Sequence, residues 1–221
     1  MTEDLLNAVR QVIDLGGPVV AVLILVSVLT AAVILYKLWQ FRAAGVGRHA
    51  ALRRAVTHWD AGARAQAQRE VAQCTTYLQP LFALAMDHAR AEGIRARLEA
   101  EAETAFAKLE RGFRYLDSVV QLAPLLGLFG TVLGMIEAFQ SLQSAGAQVD
   151  PSLLAGGIWV ALLTTAVGLG VAMPTSVVLS WLESRMAAER VIAEQGFATI
   201  LTPAGAAPEA PRKTGLAAHV A

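Results

Sequence analysis

The chain has 221 residues, 55% hydrophobic and 16% charged, and its 18 basic and 18 acidic side chains cancel. That balance excludes the basic footprint of a nucleic-acid-binding protein, and a mean hydropathy of +0.50 points to a membrane protein embedded in a lipid bilayer. Cys74 stands alone and excludes an internal disulfide, while His49, His58, His88 and His219 are too scattered for a zinc site.

In chain order, residues 1–16 read as a short, mildly amphipathic segment. Leu15–Tyr36 is then an uncharged run closed by Lys37, Trp39 and Arg42. A run of about 22 residues is long enough to cross a hydrocarbon core, so 17–39 is predicted as a first membrane helix. A cleaved signal peptide is the rival reading. Against it, Glu3, Asp4 and Asp14 stand where a basic region belongs, and the apolar run is too long.

Residues 40–118 are polar and helical in pattern. Leu52, Val56 and Trp59 mark one amphipathic helix, broken near Gly62. Tyr77–Met86 starts another, with Pro80 in its first turn. Ile94, Leu98, Ala102, Phe106, Leu109, Phe113 and Leu116 step by three or four along a longer one. The pattern predicts that this helix runs unbroken into the next membrane span, giving more than about 45 residues of continuous helix, much of it beyond the bilayer.

That span is 119–140, uncharged between Asp117 and Glu137. It is not a plain anchor, because Pro124, Gly127, Gly130, Thr131, Gly134 and Ala138 recur at helical spacing. Gly130 and Gly134 form a small-xxx-small pair that admits a close helix neighbour. The connection 141–152 holds no Lys or Arg, and Asp150–Pro151 reads as a helix cap followed by proline at the first helical position. A third span, 153–182, carries a second small-residue stripe of Gly157, Ala161, Thr164/Thr165, Gly168 and Ala172, with Pro174 near its end. Helix is predicted to continue through 183–201, and the Ala/Pro/Gly-rich tail 202–221 to be disordered.

Basic residues set the orientation. Arg10 precedes the first span, thirteen basic residues lie between Lys37 and Arg114, and four follow the third span. The 40–118 domain and the tail are therefore predicted to be cytoplasmic, and the amino terminus and short connection external. On that topology Thr131 lies about 10 Å from Pro124 and Thr165 about 13 Å from Pro174, at similar depth near mid-membrane. The plain reading of such threonines is a hydroxyl bonded back to its own helix; that of the prolines is a tolerated kink, and that of the glycines is tight packing.

The segments APLLGLFGTVLGMIEAF (123–139) and GIWVALLTTAVGLGVAMP (157–174), with the lead-in LERGFRYLDSVVQL (109–122), resemble the pore-helix signatures of the MotA/TolQ/ExbB proton-channel family. The three-span layout is closest to the ExbB/TolQ branch. The resemblance implies an all-α integral membrane protein that forms a homo-oligomeric, five-fold ring in the bacterial inner membrane. It implies a single-span ExbD/TolR-type partner that supplies a membrane carboxylate, and a TonB/TolA-type energy transducer. It places Thr131 and Thr165 on the ion path, with Pro124 and Pro174 shaping the helices; Thr164 is a further candidate for the path and, about 100° around the helix from Thr165, is expected to matter less.

The implied duty is ExbB-like energisation of TonB-dependent outer-membrane transport. TolQ-like envelope maintenance and a non-conducting scaffold are the alternatives. The family commonly carries glutamate where this chain has Val160. Glu137 at the outer end of the neighbouring span is either its replacement or a side chain snorkelling to the interface. No nucleophile–base pair, metal set or phosphate loop is present, and GLFGTVLG sits in an apolar span with no strand before it, so neither an enzyme nor a cofactor is expected.

Overall fold

The computed structural model of the chain describes residues 2–144 and 151–204. Among them all regular structure is helical: α1 Thr2–Ala44, α2 Ala50–Asp60, α3 Arg64–Ala72, α4 Gln79–Asp87, α5 Ile94–Glu110, α6 Phe113–Ser144 and α7 Pro151–Leu201. Three stretches are long and apolar enough to cross a membrane: Gly17–Ala44, Phe113–Ser144 and Leu154–Leu201. The chain divides into two compact units. One comprises Met1–Arg42 and Leu109–Met186, the other Ala43–Lys108 and Ala187–Ala221.

The first unit is built from α1, α6 and the apolar part of α7. Helix α1 is two helices meeting at Gly17, whose φ of 66° and ψ of −166° are non-helical. Pro18 then starts the apolar segment, where its missing N–H costs least. Leu23 of α1, Val119 and Ala123 of α6, and Ala172 of α7 form a shared buried cluster. Outward positions are apolar too: Leu35, Leu162 and Val177 are 67%, 63% and 71% exposed. A water-soluble fold would bury such residues; lipid or another apolar surface is the medium that suits them.

The helix predicted to run unbroken from Ile94 through the second span is divided instead. Helix α5 ends at Glu110 and α6 starts at Phe113, with Gly112 at φ 95° between them. The hydrophobic spacing continues across the break and so conceals it. The stop combines Gly112, in the left-handed region, with a tertiary contact. Lys37, only 2% exposed, donates from Nζ to the carbonyl oxygen of Leu109 at 3.0 Å and to Gln40 Oε1 at 2.8 Å. It thereby satisfies a carbonyl that the end of α5 leaves free. A Cβ on Gly112 would stand 3.3 Å from Lys37 Cε, so glycine serves both the left-handed turn and the close approach. From sequence Lys37 had read only as the close of the first apolar run.

The other helix ends also differ from expectation. Helix α1 continues past 39 to Ala44, and α6 past 140 to Ser144, where the connection was placed. Asp150, residues 145–150 of the connection and 205–221 of the tail lie outside the described residues. Thr202 and Ala204, assigned to the tail, are bonded: Thr202 N donates to Ala198 O at 2.9 Å, and Ala204 N to Asp60 Oδ1 at 2.7 Å.

The second unit holds α2–α5 and the end of α7. The expected break at Gly62 is present, with φ 82°, and Pro80 sits in the first turn of α4. Helix α5 buries Ile94, Leu98, Ala102 and Phe106, one per turn, and exposes the ion pairs Arg95–Glu99 and Arg97–Glu101. Helix α3 was not anticipated. It buries only Ala67 and Val71, and an i, i+4 pair in so polar a segment is too faint a period to read.

Candidate functional site

The two small-residue stripes meet each other. A Cβ built on Gly127 would stand 2.9 Å from Thr164 O and 3.0 Å from Thr165 Cα; one on Gly130 would meet Thr164 Oγ1 at 2.7 Å; one on Gly134 would meet Ala161 Cβ at 3.3 Å. Gly157 faces Ala138, and Gly168 faces Ala123 O, which a Cβ would approach to 2.5 Å. Ascending positions on α6 meet descending positions on α7, so the helices are antiparallel and their backbones touch. Glycine is what permits this separation. Within one chain, α7 already occupies the stripe of α6.

The three threonine hydroxyls of these spans are in three different states. Thr164 is 1% exposed and donates both to Ala161 O of its own helix, at 2.7 Å, and to Gly127 O of α6, at 3.1 Å. Thr131 is half-buried and donates to Leu128 O at 2.6 Å, the local bond that threonines of apolar helices ordinarily make. Thr165 is half-buried, yet its Oγ1 is fully enclosed and bonds to nothing in the chain. Sequence spacing ranked Thr164 below Thr165 for the seam; the structure puts Thr164 between the helices.

The prolines lie inside intact helices. Each withdraws the N–H that would have reached the carbonyl four residues earlier, at Val120 and Gly170. Pro124 directly follows Ala123, the residue whose carbonyl faces Gly168. Glu137 is exposed, while its neighbour Ala138 is buried against Gly157. Val160 is half-buried and brings no charge.

These positions separate packing from chemistry. Thr164→Val is expected to lower stability by about 0.6–1.7 kcal/mol, the range for an interhelical hydrogen bond in a membrane. Thr131→Val should leave stability within about 0.5 kcal/mol, because its hydroxyl reaches only its own helix. Unfolding in mixed detergent micelles, followed by circular dichroism, measures both. Equal losses in the two variants would contradict the assigned contacts.

Helical throughout its described residues, with three candidate spans and two of them packed through glycine, the chain has the make-up of a multi-span membrane protein. The chain belongs to the MotA/TolQ/ExbB proton channel family, whose model matches residues 63–195. An ExbB-like biopolymer transport protein of Synechocystis sp. is 39% identical over 111 residues, covering 48% of this chain and 44% of that protein. The biopolymer transport protein exbB1 of Vibrio cholerae is 46% identical over 63 residues, 28% of either chain. The Tol-Pal system protein TolQ of Haemophilus influenzae is 39% identical over 78 residues, 35% of this chain and 34% of that protein. The chain thus matches less than half the length of these curated relatives.

Proposed function

We propose that this chain is the channel-forming subunit of an inner-membrane motor driven by the proton-motive force. In this reading it acts as a homo-oligomeric ring, with a single-span partner that carries a membrane carboxylate and with a TonB/TolA-type transducer. The observation that carries the reading is the α6–α7 pair: two uncharged spans packed through glycine, with the Thr165 hydroxyl enclosed and unbonded. A buried hydroxyl without a partner costs about 1–3 kcal/mol, which an acceptor brought to it on assembly would recover. The ion path then runs past Thr165 and Thr131, with Thr164 holding the helix pair together. Glu137, exposed on α6, takes the outer position that Val160 cannot fill. An ExbB-like duty in TonB-dependent uptake is preferred on the share of ExbB-like relatives; the TolQ match favours envelope maintenance as the second reading.

The reading requires the amino terminus outside, the polar unit in the cytoplasm and the carboxyl terminus inside. Cys74 should then resist a membrane-impermeant thiol reagent in intact cells, whereas a cysteine placed at Ala147 should react. Burial pushes the Cys74 thiol up, so the control is Cys74 labelling at alkaline pH after permeabilisation. Labelling of Cys74 but not of position 147 in intact cells would overturn the orientation, and the motor with it.

A further inference from the structure

Pro174 leaves α7 with a carbonyl that its own helix cannot satisfy. The acceptor is Gly170 O, which has lost the N–H four residues on. Gly170 and Pro174 are both exposed, and a Cβ built on Gly170 would meet nothing within 4 Å. Glycine brings no side chain to screen the carbonyl. Glu183, the next charge along α7, is about 20 Å of helix further on, so the acceptor lies within the hydrocarbon. Lipid tails offer no donor there, and a bare acceptor is costly.

Helix α1 carries the complementary defect. Ser27 is half-buried, and among the described residues its hydroxyl has no hydrogen bond. It can be given to an outside acceptor without loss of a bond in the chain. Other polar groups of the spans near this depth are engaged. Thr175 donates to Val171 O at 2.7 Å, Gln121 to Asp117 Oδ2 at 2.8 Å, and Thr30 stands 3.5 Å from the Tyr115 hydroxyl.

The free donor and the free acceptor share a depth. Val26, Val167 and Val171 pack on the one buried cluster of Leu23, Val119, Ala123 and Ala172. Leu23 joins that cluster with Val119 and Ala123, whereas Thr30 lies by Tyr115, so α1 is antiparallel to α6 and parallel to α7. Ser27 follows Val26 and Gly170 precedes Val171, which sets the two level to within about one turn. Side chains lean toward the amino end of a helix and carbonyls point toward its carboxyl end.

Copies in a closed ring are related by rotation about the membrane normal, which preserves depth. A donor on one helix and an acceptor at the same level on another are then what a head-to-tail contact repeats around the ring. We infer that the Ser27 hydroxyl of one copy donates to the Gly170 carbonyl of the next, setting α1 of each copy against α7 of its neighbour. The contact rests on the homo-oligomeric ring proposed above and names the surfaces that build it. Ala31, one turn after Ser27, and Ala166, one turn before Gly170, are exposed and small, so the two backbones can approach.

The test uses the full chain in a Cys74→Ser background and reads contact separately from assembly. Ser27→Cys with Gly170→Cys should give, on oxidation in the membrane, a ladder of cross-linked species beyond the dimer. The proposed bond brings the two Cα atoms near the roughly 4.4–6.8 Å that a disulfide spans. Either cysteine alone should give no ladder. Ser27→Ala should raise the apparent dissociation constant of the oligomer in detergent by roughly three- to eighteen-fold per contact, the ratio for one interhelical hydrogen bond, and Ser27→Thr should restore it. In a Pro174→Ala background α7 regains an N–H for Gly170 O, and Ser27→Ala should then change nothing. Equal weakening in both backgrounds overturns the contact. So does an oligomer by native mass spectrometry that gives no ladder from the Ser27/Gly170 pair, or gives one from Gln121→Cys with Gly170→Cys instead; the ring itself then stands. A monomer in that measurement overturns the ring and the contact together.

Discussion

Gly168→Leu is expected to abolish recovery of folded protein, whereas Gly170→Leu and Gly156→Leu are not. The three glycines share one helix and one apolar composition, so propensity cannot separate them. Their surroundings do. A Cβ at 168 would stand 2.5 Å from Ala123 O and 3.2 Å from Gly127 Cα, which are backbone atoms unable to rotate aside. At 156 and 170 a Cβ meets nothing within 4 Å. Relief of the clash requires α6 and α7 to separate, and separation breaks the contacts at Gly127, Gly130, Gly134 and Gly157 together, with the Thr164–Gly127 bond. Overpacking alone costs about 1–3 kcal/mol, and the lost seam adds to it, against a total stability of about 5–15 kcal/mol. Monodisperse recovery in mild detergent, by size-exclusion chromatography with a melting curve, is the measurement. A Gly168→Leu protein that elutes and melts like Gly170→Leu would show that the two helices are not in backbone contact.

Purified alone and reconstituted in liposomes, the chain is expected to show no specific proton uptake; with a single-span protein of the proposed, carboxylate-bearing kind, it should. A relay across a bilayer needs a group near mid-membrane that gains and loses a proton. Between Asp117 and Glu137, and from Ser152 to Leu182, the sequence has no Asp, Glu, His, Lys or Arg. A threonine hydroxyl passes a hydrogen bond on but does not titrate in the physiological range. Thr131 is committed to Leu128 O and Thr164 to Gly127 O and Ala161 O, so Thr165 is the hydroxyl without a partner in the chain, and α7 must turn to uncover it before a carboxylate of another chain can accept from it. In the complete complex, Thr131→Val with Thr165→Val should cut uptake at least tenfold, a figure set by the roughly 1.4 kcal/mol that one well-formed hydrogen bond supplies. Assembly should survive, since neither hydroxyl joins the two helices. A pH-sensitive dye inside the vesicles reads both experiments. Fast uptake by the chain alone, lost on Thr131→Val, would contradict the need for a partner.

The corrections share one cause. Apolar period, glycine spacing and uncharged length are properties of a segment and can be read from it. Gly62, Pro80 and the end of α7 behaved as their neighbours in sequence indicated. The Gly112 break did not, because Phe106, Leu109, Phe113 and Leu116 keep a helical period across it; the decision rests with Gly112 together with Lys37, some seventy residues earlier. The same applies to the threonines. A rotation of 100° per residue separates Thr164 from Thr165 but does not say which of them faces α6.

The class is thus legible along the chain: three apolar spans, a polar helical segment after the first, and two small-residue stripes within the stretch 63–195 that matches one family. Those are one-dimensional quantities, fixed by bilayer thickness and helix pitch. What each stripe touches depends on how the helices pack. Packing set α6 against α7 of the same chain, put Thr164 between them and left Thr165 unbonded. A small residue states that something comes close. Which atoms those are depends on residues far along the chain, and becomes definite when the helices pack.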